Sequence, residues 1–511
     1  MNNKIIINNE VLISTITQIK NNKKKIVLCH GVFDLFHPGH LRYLKAAKKF
    51  GDVLIVSITE DQFIHKGPGR PVYNSSDRLN MMQSLEIVDY VTLSRSITAE
   101  SIIKLIKPDI YAKGMEYKIS RNDVTLNIIK EKKLVKKYGG KTIYIDEKIL
   151  SSSKLINENA IGDLDPNIFL LKEKIKKISN FKKIEKYVNK FGKLKVMIIG
   201  ETIIDNYIFC DPIGKSGKEP HLVLKDLKTE NYMGGVIAIA KHIETFCKKV
   251  DIVSSLGSDH KNYLKKIKDS FKKNVSYSFI EKKNTPTILK KRYIDNLTNH
   301  KLIGAYSFND RGLTYSEEKK LEKIIMKKIK LCDLLIISDY GHGFISKKIA
   351  QKICSSYSQK IYLNAQLNAA NYGYHTLLKY KKFNSLIINE SELRHEMKDK
   401  FSKIENLIKK FSKKINFNSM LITRGAEGCI LYEKKNSKYH YCPALASKVL
   451  DKVGAGDAML ALASLSIKSK LNPSITMLNS SIAAAIVVKN MGNSKNITKM
   501  QLLKDIMYFC K

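Results

Sequence analysis

The sequence predicts an α/β protein with two parallel-sheet domains, the second carrying a small β lid. Short apolar runs alternate with amphipathic segments between Lys25 and about Leu155. A second series of the same kind starts at Lys195 and continues to the helix after Asp457, and inside it two stretches switch to short alternating patterns. Strands separated by helical patterns build a parallel sheet with helices on both faces, whereas alternation of period two marks strands with one face exposed.

In the first series the strands are KIVLC, VLIVSI, YVTL, DIYAKG and KTIYI, and the helices run from His40 to Phe50, Ser76 to Ile87 and Ala99 to Ile106. Residues 156–192 are Lys-rich, polar and helical in pattern, with too little apolar surface for a core of their own, and read as a helical connector. The second series runs KVMIIG, VDIVSSLG, CDLLIISD, KIYLNA, SLIINE and MLITRG. Between Ile208 and Tyr232, and again between Thr287 and Ser307, stretches such as HLVLKDL and ILKKRYI read as the strands of the lid, and the C-terminal end reads as helices. The expected boundaries are 1–155, 156–192 and 193–511, and no internal repeat relates the halves.

A chain of 511 residues fits this division, since domains of about 100 to 200 residues each hold their own core. Its net charge of +42 would ordinarily suggest nucleic acid. The composition argues otherwise: of the 90 basic residues only nine are Arg, the usual reader of phosphates and base edges, and the Lys residues are scattered along predicted helices as solvated faces. No nucleic-acid partner is expected. The eight Cys stand singly, without a C-x-x-C pair, so neither a zinc site nor a disulfide framework is indicated, and a reducing compartment fits best. The N-terminal stretch has no continuous apolar region, and no segment reaches the ~18 apolar residues of a membrane span. The expectation is a cytoplasmic protein with no membrane partner.

The first chemical constellation follows the strand KIVLC. His30-Gly31-Val32-Phe33-Asp34-Leu35-Phe36-His37-Pro38-Gly39-His40 leads into the helix LRYLKAAKKF. Two histidines three apart, at the start of a helix that follows a buried strand, sit where free backbone N–H groups and the helix dipole favour an anion. Gly31 and Gly39 let the backbone approach it closely. Imidazole N–H donors there can follow the charge that builds on an α-phosphate during in-line attack. The string G-x-F-D-x-x-H-x-G-H resembles the signature of the nucleotidyltransferase superfamily that includes cytidylyltransferases and the adenylyltransferase half of the heptose synthetases. The resemblance covers about residues 20–156 and implies a Rossmann-like fold in which His37 and His40 stabilise nucleotidyl transfer and Gly31, Phe33 and Gly39 shape the phosphate site. It further implies that Lys66 and Arg70, in Lys66-Gly67-Pro68-Gly69-Arg70-Pro71-Val72, face phosphates, that Lys113 approaches the nucleotide, and that Ser151, Ser152 and Ser153 form a phosphate-binding hydroxyl cluster. A run of Ser is also a common helix cap. The polyol-phosphate cytidylyltransferases carry an Arg-Thr-x-Gly-Ile-Ser-Thr stretch where this chain has Asp146-Glu147-Lys148-Ile149-Leu150-Ser151-Ser152, which favours ATP over CTP.

The second constellation is Asp451-Lys452-Val453-Gly454-Ala455-Gly456-Asp457-Ala458, before an Ala-rich apolar helix. A G-A-G turn feeding a helix N-terminus presents backbone N–H groups to a transferring phosphoryl group, and Asp457 there can take the proton of the attacking hydroxyl. D-x-x-G-A-G-D resembles the C-terminal signature of the ribokinase-like PfkB sugar kinases, and the family's other marks follow in order. Gly234 and Gly235 match the N-terminal glycine signature, and Asp205 in GETIIDNY matches the residue that holds sugar hydroxyls. Asn389 and Glu392, in Asn389-Glu390-Ser391-Glu392, match the motif that organises magnesium and phosphates, with Glu392 at the metal. Thr423, Gly425 and Gly428 match the nucleotide-side T-x-G-x-x-G, and Gly454, Ala455 and Gly456 form the anion-binding turn. Asp339-Tyr340-Gly341-His342-Gly343 resembles the D-Y-x-x-G stretch of heptose kinases.

Two departures stand out. Ala238 occupies the place of the Asn in G-G-x-x-N, and Leu363-Asn364-Ala365-Gln366 stands where heptose kinases carry V-D-P-K. Both halves resemble the bifunctional heptose 7-phosphate kinase/heptose 1-phosphate adenylyltransferases, in reversed order. The resemblance implies a sugar-activating enzyme that uses sugar phosphates, ATP (or CTP at the N-terminal site) and Mg2+, for surface polysaccharide, with a homodimer through the lid. The alternative is a cytidylyltransferase for a polyol phosphate whose kinase-like half only binds a sugar.

Overall fold

The computed structural model describes residues 4–64, 70–117, 127–146, 166–368 and 371–510. It divides into two compact units, Met1–Pro166 and Asn167–Lys511. The helices Pro166–Ile178 and Phe181–Lys190, read from sequence as part of a separate connector, group with the second unit. The reason is their apolar stripe: Leu171, Ile175, Ile184 and Val188 are buried although Lys fills the intervening positions.

The first unit is a five-stranded parallel sheet built from β1 (Ile26–Gly31), β2 (Val53–Thr59), β3 (Tyr90–Ser94), β4 (Ile110–Gly114) and β5 (Lys141–Ile145), in the order β3-β2-β1-β4-β5. All seven residues of β2 are buried, as a strand covered on both faces requires. The order reverses between β1 and β4, and in open α/β sheets the crevice at the carboxyl end of such a switch point is where ligands bind. The helix Asn9–Asn21, not read from the sequence, buries Leu12, Ile16 and Ile19 against this core.

The second unit holds a nine-stranded sheet and a four-stranded lid. The main sheet is built from β6 (Lys195–Gly200), β9 (Lys249–Leu256), β10 (Val275–Glu281), β13 (Leu334–Asp339), β14 (Ile361–Ala365), β15 (Ser385–Asn389) and β16 (Ser419–Thr423), with the antiparallel β17 (Cys429–Glu433) and β18 (Lys438–Cys442) at one edge. Their order is β10-β9-β6-β13-β14-β15-β16-β17-β18. Strands β6, β13, β14, β15 and β16 are parallel, so the loops at their carboxyl ends converge on one edge. The lid pairs β7 (Thr202–Lys215) with β8 (Leu222–Gly235) and β11 (Ile288–Asp295), and β11 with β12 (Lys301–Ser307). The expected α/β class with a β lid is what the structure has. Among the described residues no helix is long and apolar enough to cross a membrane.

Candidate active sites

In the first unit, the chain leaves β1 through a turn in which Phe33 and Leu35 adopt φ of 51° and 47°. Non-glycine residues rarely occupy that region, so the turn is held by its surroundings. Two buried groups hold it. The Asp34 carboxylate accepts from Arg70 Nε at 2.7 Å and from the backbone N–H of Val72 and Tyr73, each at 3.1 Å. Arg78, at 0% exposure, donates to the carbonyls of Val32 (2.6 Å), Thr59 (3.0 Å) and Tyr73 (2.9 Å) and pairs with Asp61 at 2.5 Å.

Arg70, expected to face phosphates, gives its Nε to Asp34 inside the protein, because a buried carboxylate left unpaired is costly. Arg78 was missed. In a chain with nine Arg, one set on a helix beside Leu79 and Met82 was the available signal. Asp34→Ala is expected to cost about 3 kcal/mol by stranding the Arg70 charge and freeing the turn, read as a lowered midpoint in thermal unfolding.

His37 is the N-cap of the helix Pro38–Lys48, and its Nδ1 accepts the Gly39 N–H at 3.1 Å. With Nδ1 an acceptor, the proton of the neutral ring sits on Nε2. Burial, and then the charge of Arg42, lower the pKa of His37 and keep it neutral. Its Nε2 has no hydrogen-bond partner among the described residues. A buried N–H without a partner is costly, and at a helix N-terminus the group that fits it is an anion. His40 stacks on His37 with ring centroids 4.0 Å apart and packs against Phe33 and Phe36. Lys113, at the end of β4, donates to the His30 carbonyl at 3.3 Å, which places it at the switch point beside the β1 end. Lys66, Ser151, Ser152 and Ser153 lie outside the described residues.

In the second unit one cavity of about 750 Å³ is lined by Asp205, Gly235, Asn389, Glu392, Thr423, Gly425, Gly454, Ala455, Gly456 and Asp457. Ten positions spread from 205 to 457 thus meet at one site. Gly234 and Gly428 are not in that lining: a Cβ on Gly234 would lie 2.6 Å from Oδ2 of Asp205, and one on Gly428 would meet the Cys442 carbonyl at 2.0 Å. Gly454 is the N-cap of the helix Ala455–Lys468, with φ of 83° and no side-chain cap, and a Cβ there would meet Asn493 Oδ1 at 2.0 Å. Only glycine fits that turn.

Asp457 is buried in the first turn of that helix. Its Oδ1 accepts from Tyr340 Oη at 2.8 Å and from Gln366 Nε2 at 3.3 Å. Burial pushes its carboxyl up to about 7. Both partners are neutral, and Gln366 stands where the resemblance placed a Lys. Asn364 donates to the Ile387 carbonyl at 2.8 Å, while its Oδ1 has no partner among the described residues. Ala238 is buried on the helix Val236–Ile243.

Asn389 and Glu392 form a capping box at the start of the helix Glu390–Met397: Glu392 Oε2 accepts the Asn389 N–H at 2.8 Å, and Oε1 accepts the Leu367 N–H at 3.3 Å. Both Glu392 oxygens therefore face backbone donors. Among the described residues no group of three or more His, Cys, Asp or Glu could hold a metal ion. Asp205, in the lining of the same cavity, is paired with Arg292, and Lys290, whose pKa burial lowers, lines it too. Sequence reasoning recognised the strand ILKKRYI but missed these two cations. Their signal was the period of two, which sets Lys290 and Arg292 on one face of β11 beside Asp205 of β7.

Residues 193–500 match the model of the pfkB family of carbohydrate kinases, more than half of the chain. The chain belongs to the pfkB carbohydrate kinase family. The pfkB span contains the whole cavity, and ahead of it residues 28–186 match the Cytidylyltransferase-like model, the reverse of the kinase-first order of the heptose bifunctional enzymes. The chain is similar to the Bifunctional protein HldE of Nitratiruptor sp., 25% identical over 308 residues that make up 59% of this chain and 62% of that protein. To the Bifunctional protein HldE of Aliarcobacter butzleri it is 42% identical over 127 residues, 24% of this chain and 26% of that one. The matches thus span less than two thirds of either relative. Phosphofructokinase-2 from Escherichia coli, solved with potassium, covers 62% of this pfkB chain at a TM-score of 0.50 and 13% identity, a likeness of fold.

Proposed function

We propose that this protein activates a sugar in two reactions: its C-terminal unit phosphorylates a sugar phosphate of the heptose 7-phosphate type with ATP, and its N-terminal unit joins a sugar 1-phosphate to a nucleotide, ATP before CTP, releasing pyrophosphate. Surface polysaccharide is the destination that fits such a product. The observation that carries the kinase reading is Asp457, buried at a helix N-terminus in a cavity also lined by Lys290 and Arg292. With Arg292 paired to Asp205, Lys290 is the cation that favours a substrate already bearing a phosphate.

In the kinase step Tyr340 and Gln366 fix Oδ1 of Asp457, leaving Oδ2 to accept the proton of the sugar hydroxyl as its oxygen attacks the γ-phosphorus in line. The first-turn N–H groups of the helix Ala455–Lys468 receive the charge of the transferring group. Magnesium fits the donor set: burial, and after it the charge of Asp457, raise the Glu392 carboxyl to about 7, so a cation there is favoured. Asn389, Glu392 and Asp457 are the residues that would retain it, through water and the nucleotide's phosphates. When bound, it neutralises phosphate charge. In the transferase step an oxygen of the sugar 1-phosphate attacks the α-phosphorus and the bond to the β-phosphate bridging oxygen breaks. His37 Nε2–H donates to the charge that develops there, and no base is needed because the nucleophile is already an anion.

The test is pyrophosphate release by the full chain with Mg2+ and heptose 1-phosphate, with ATP and CTP in turn, and ADP release with ATP and heptose 7-phosphate. No ADP from any sugar phosphate would remove the kinase reading. The pH profile adds a check. Kinase kcat should fall as pH drops through about 7, where Asp457 takes up its proton. Gln366→Lys places a cation beside that carboxylate and should move the acid limb to lower pH.

A further inference from the structure

The carboxylate that opens the D-x-x-G-A-G-D motif is not at the cavity but beneath it, and the structure gives it four partners. Asp451 Oδ1 accepts from Lys301 Nζ at 2.5 Å and from the Val453 N–H at 3.1 Å; Oδ2 accepts from Tyr207 Oη at 2.6 Å and from the Gly492 N–H at 2.9 Å. The side chain of Asp451 is 1% exposed. Two of these donors are backbone groups of the loops that shape the anion-binding turn: Val453 immediately precedes Gly454, and Gly492 adjoins Asn493, whose Oδ1 lies against Gly454. The other two belong to the lid, Tyr207 on β7 and Lys301 on β12.

Lys301 is otherwise out of place. It sits on a strand whose seven residues are all exposed, yet its ammonium reaches a buried carboxylate 150 residues away in sequence. Tyr207, with no exposed surface, is flanked on its ring by Lys301 and by Arg292, and Arg292 in turn holds Asp205. The lid strand β8 closes the set, since the Tyr232 ring packs on Gly492. A continuous chain of contacts therefore runs from Asp205 on the sugar side through Arg292, Tyr207 and Asp451 to the backbone that precedes Gly454.

We propose that Lys301 and Tyr207 are positioning residues that latch the lid to the anion-binding turn through Asp451, so that the turn takes its working geometry only while the lid is seated. The inference rests on the kinase reading above for its consequence in rate, but the latch itself is a property of the fold. Its physical basis is that the N–H groups of the turn act by pre-organisation, where a displacement of about 1 Å costs roughly a hundredfold in rate. Asp451 cannot float free to tolerate a lifted lid, because a buried carboxylate without its cation is strongly destabilised.

The test uses the full chain and two readouts. Hydrogen exchange of amides 452–457 should rise about tenfold in Lys301→Met and in Tyr207→Phe, with the strands of the main sheet unchanged. Unchanged exchange at 452–457 in both variants overturns the latch, whether or not the protein phosphorylates a sugar. In turnover, Lys301→Met should lower kcat about thirtyfold while both KM values stay within about threefold. Lys301→Arg, which keeps the charge, should restore most of it. Ammonium chloride should also restore rate to Lys301→Ala by refilling the cation's place, where tetramethylammonium chloride at equal ionic strength should not. Loss of rate that neither arginine nor ammonium restores would make Lys301 a mere packing residue and overturn the proposal. Variants that show the exchange difference, from a wild type that phosphorylates no sugar, would count against the kinase reading alone.

Discussion

Asp457→Asn is expected to lower kcat for sugar phosphorylation about a thousandfold while pyrophosphate release by the N-terminal site keeps its rate. The amide is nearly the shape of the carboxyl and can still accept from Tyr340 Oη and Gln366 Nε2, so the helix start and the G-A-G turn stay in place. What disappears is the acceptor for the hydroxyl proton. The same substitution should not cost stability, and its effect on stability should vary with pH. Burial raises the folded pKa of Asp457 from the usual 3.8 to about 7, so the carboxyl contributes stability below its unfolded pKa and loses it as pH rises through about 7. The amide of the variant does not titrate. The variant should therefore gain on the wild type between about pH 4 and pH 7, seen as a difference in unfolding midpoint that is more favourable to the variant at pH 8 than at pH 4. A variant that keeps its phosphorylation rate would remove Asp457 as the base, whereas a wild-type protein that phosphorylates no sugar would assign the kinase-like unit to sugar binding without turnover.

How much of this was legible in the sequence follows from how local each signal is. The strands and their order of appearance were readable because buried parallel strands are short apolar runs, and motifs such as Gly454-Ala455-Gly456-Asp457 carry their geometry within one turn. Residues that act by long-range pairing were not. Arg78 ties together Val32, Thr59, Asp61 and Tyr73, and no local pattern announces which carbonyls an arginine will meet. Arg70 stood in a recognisable loop, yet its partner Asp34 lies 36 residues away, so the bond by which it braces the histidine turn was not legible. Tyr340 stands in the D-Y-x-x-G stretch, and only the fold brings its hydroxyl to Asp457 across 117 residues. Glu392 is the opposite case: its bond to the Asn389 N–H is a capping box that N-x-x-E spells out locally, and only its bond to the Leu367 N–H needed the fold.

The N-terminal site yields a second large effect, and it separates two jobs that one residue performs. His37 both caps a helix through Nδ1 and holds an unpartnered Nε2–H. His37→Ala removes both functions, and the lost cap alone should cost about 1 kcal/mol of stability. His37→Asn keeps the cap, because an Asn side-chain oxygen serves as well at that position, but its amide does not reach where the imidazole Nε2 stood. Both variants should lose pyrophosphate release by about a hundredfold to a thousandfold, with only the Ala variant melting earlier. The comparison is decisive because equal loss of rate with unequal loss of stability cannot come from the cap. If His37→Asn instead kept the rate together with the stability, the histidine would matter only for starting the helix, and the charge on the α-phosphate would have to be met by backbone N–H groups alone. The wild-type pH profile bears on the same point: burial and Arg42 lower the His37 pKa, so a neutral Nε2–H donor persists below the usual histidine range, and release should show no acid limb at about 6.5.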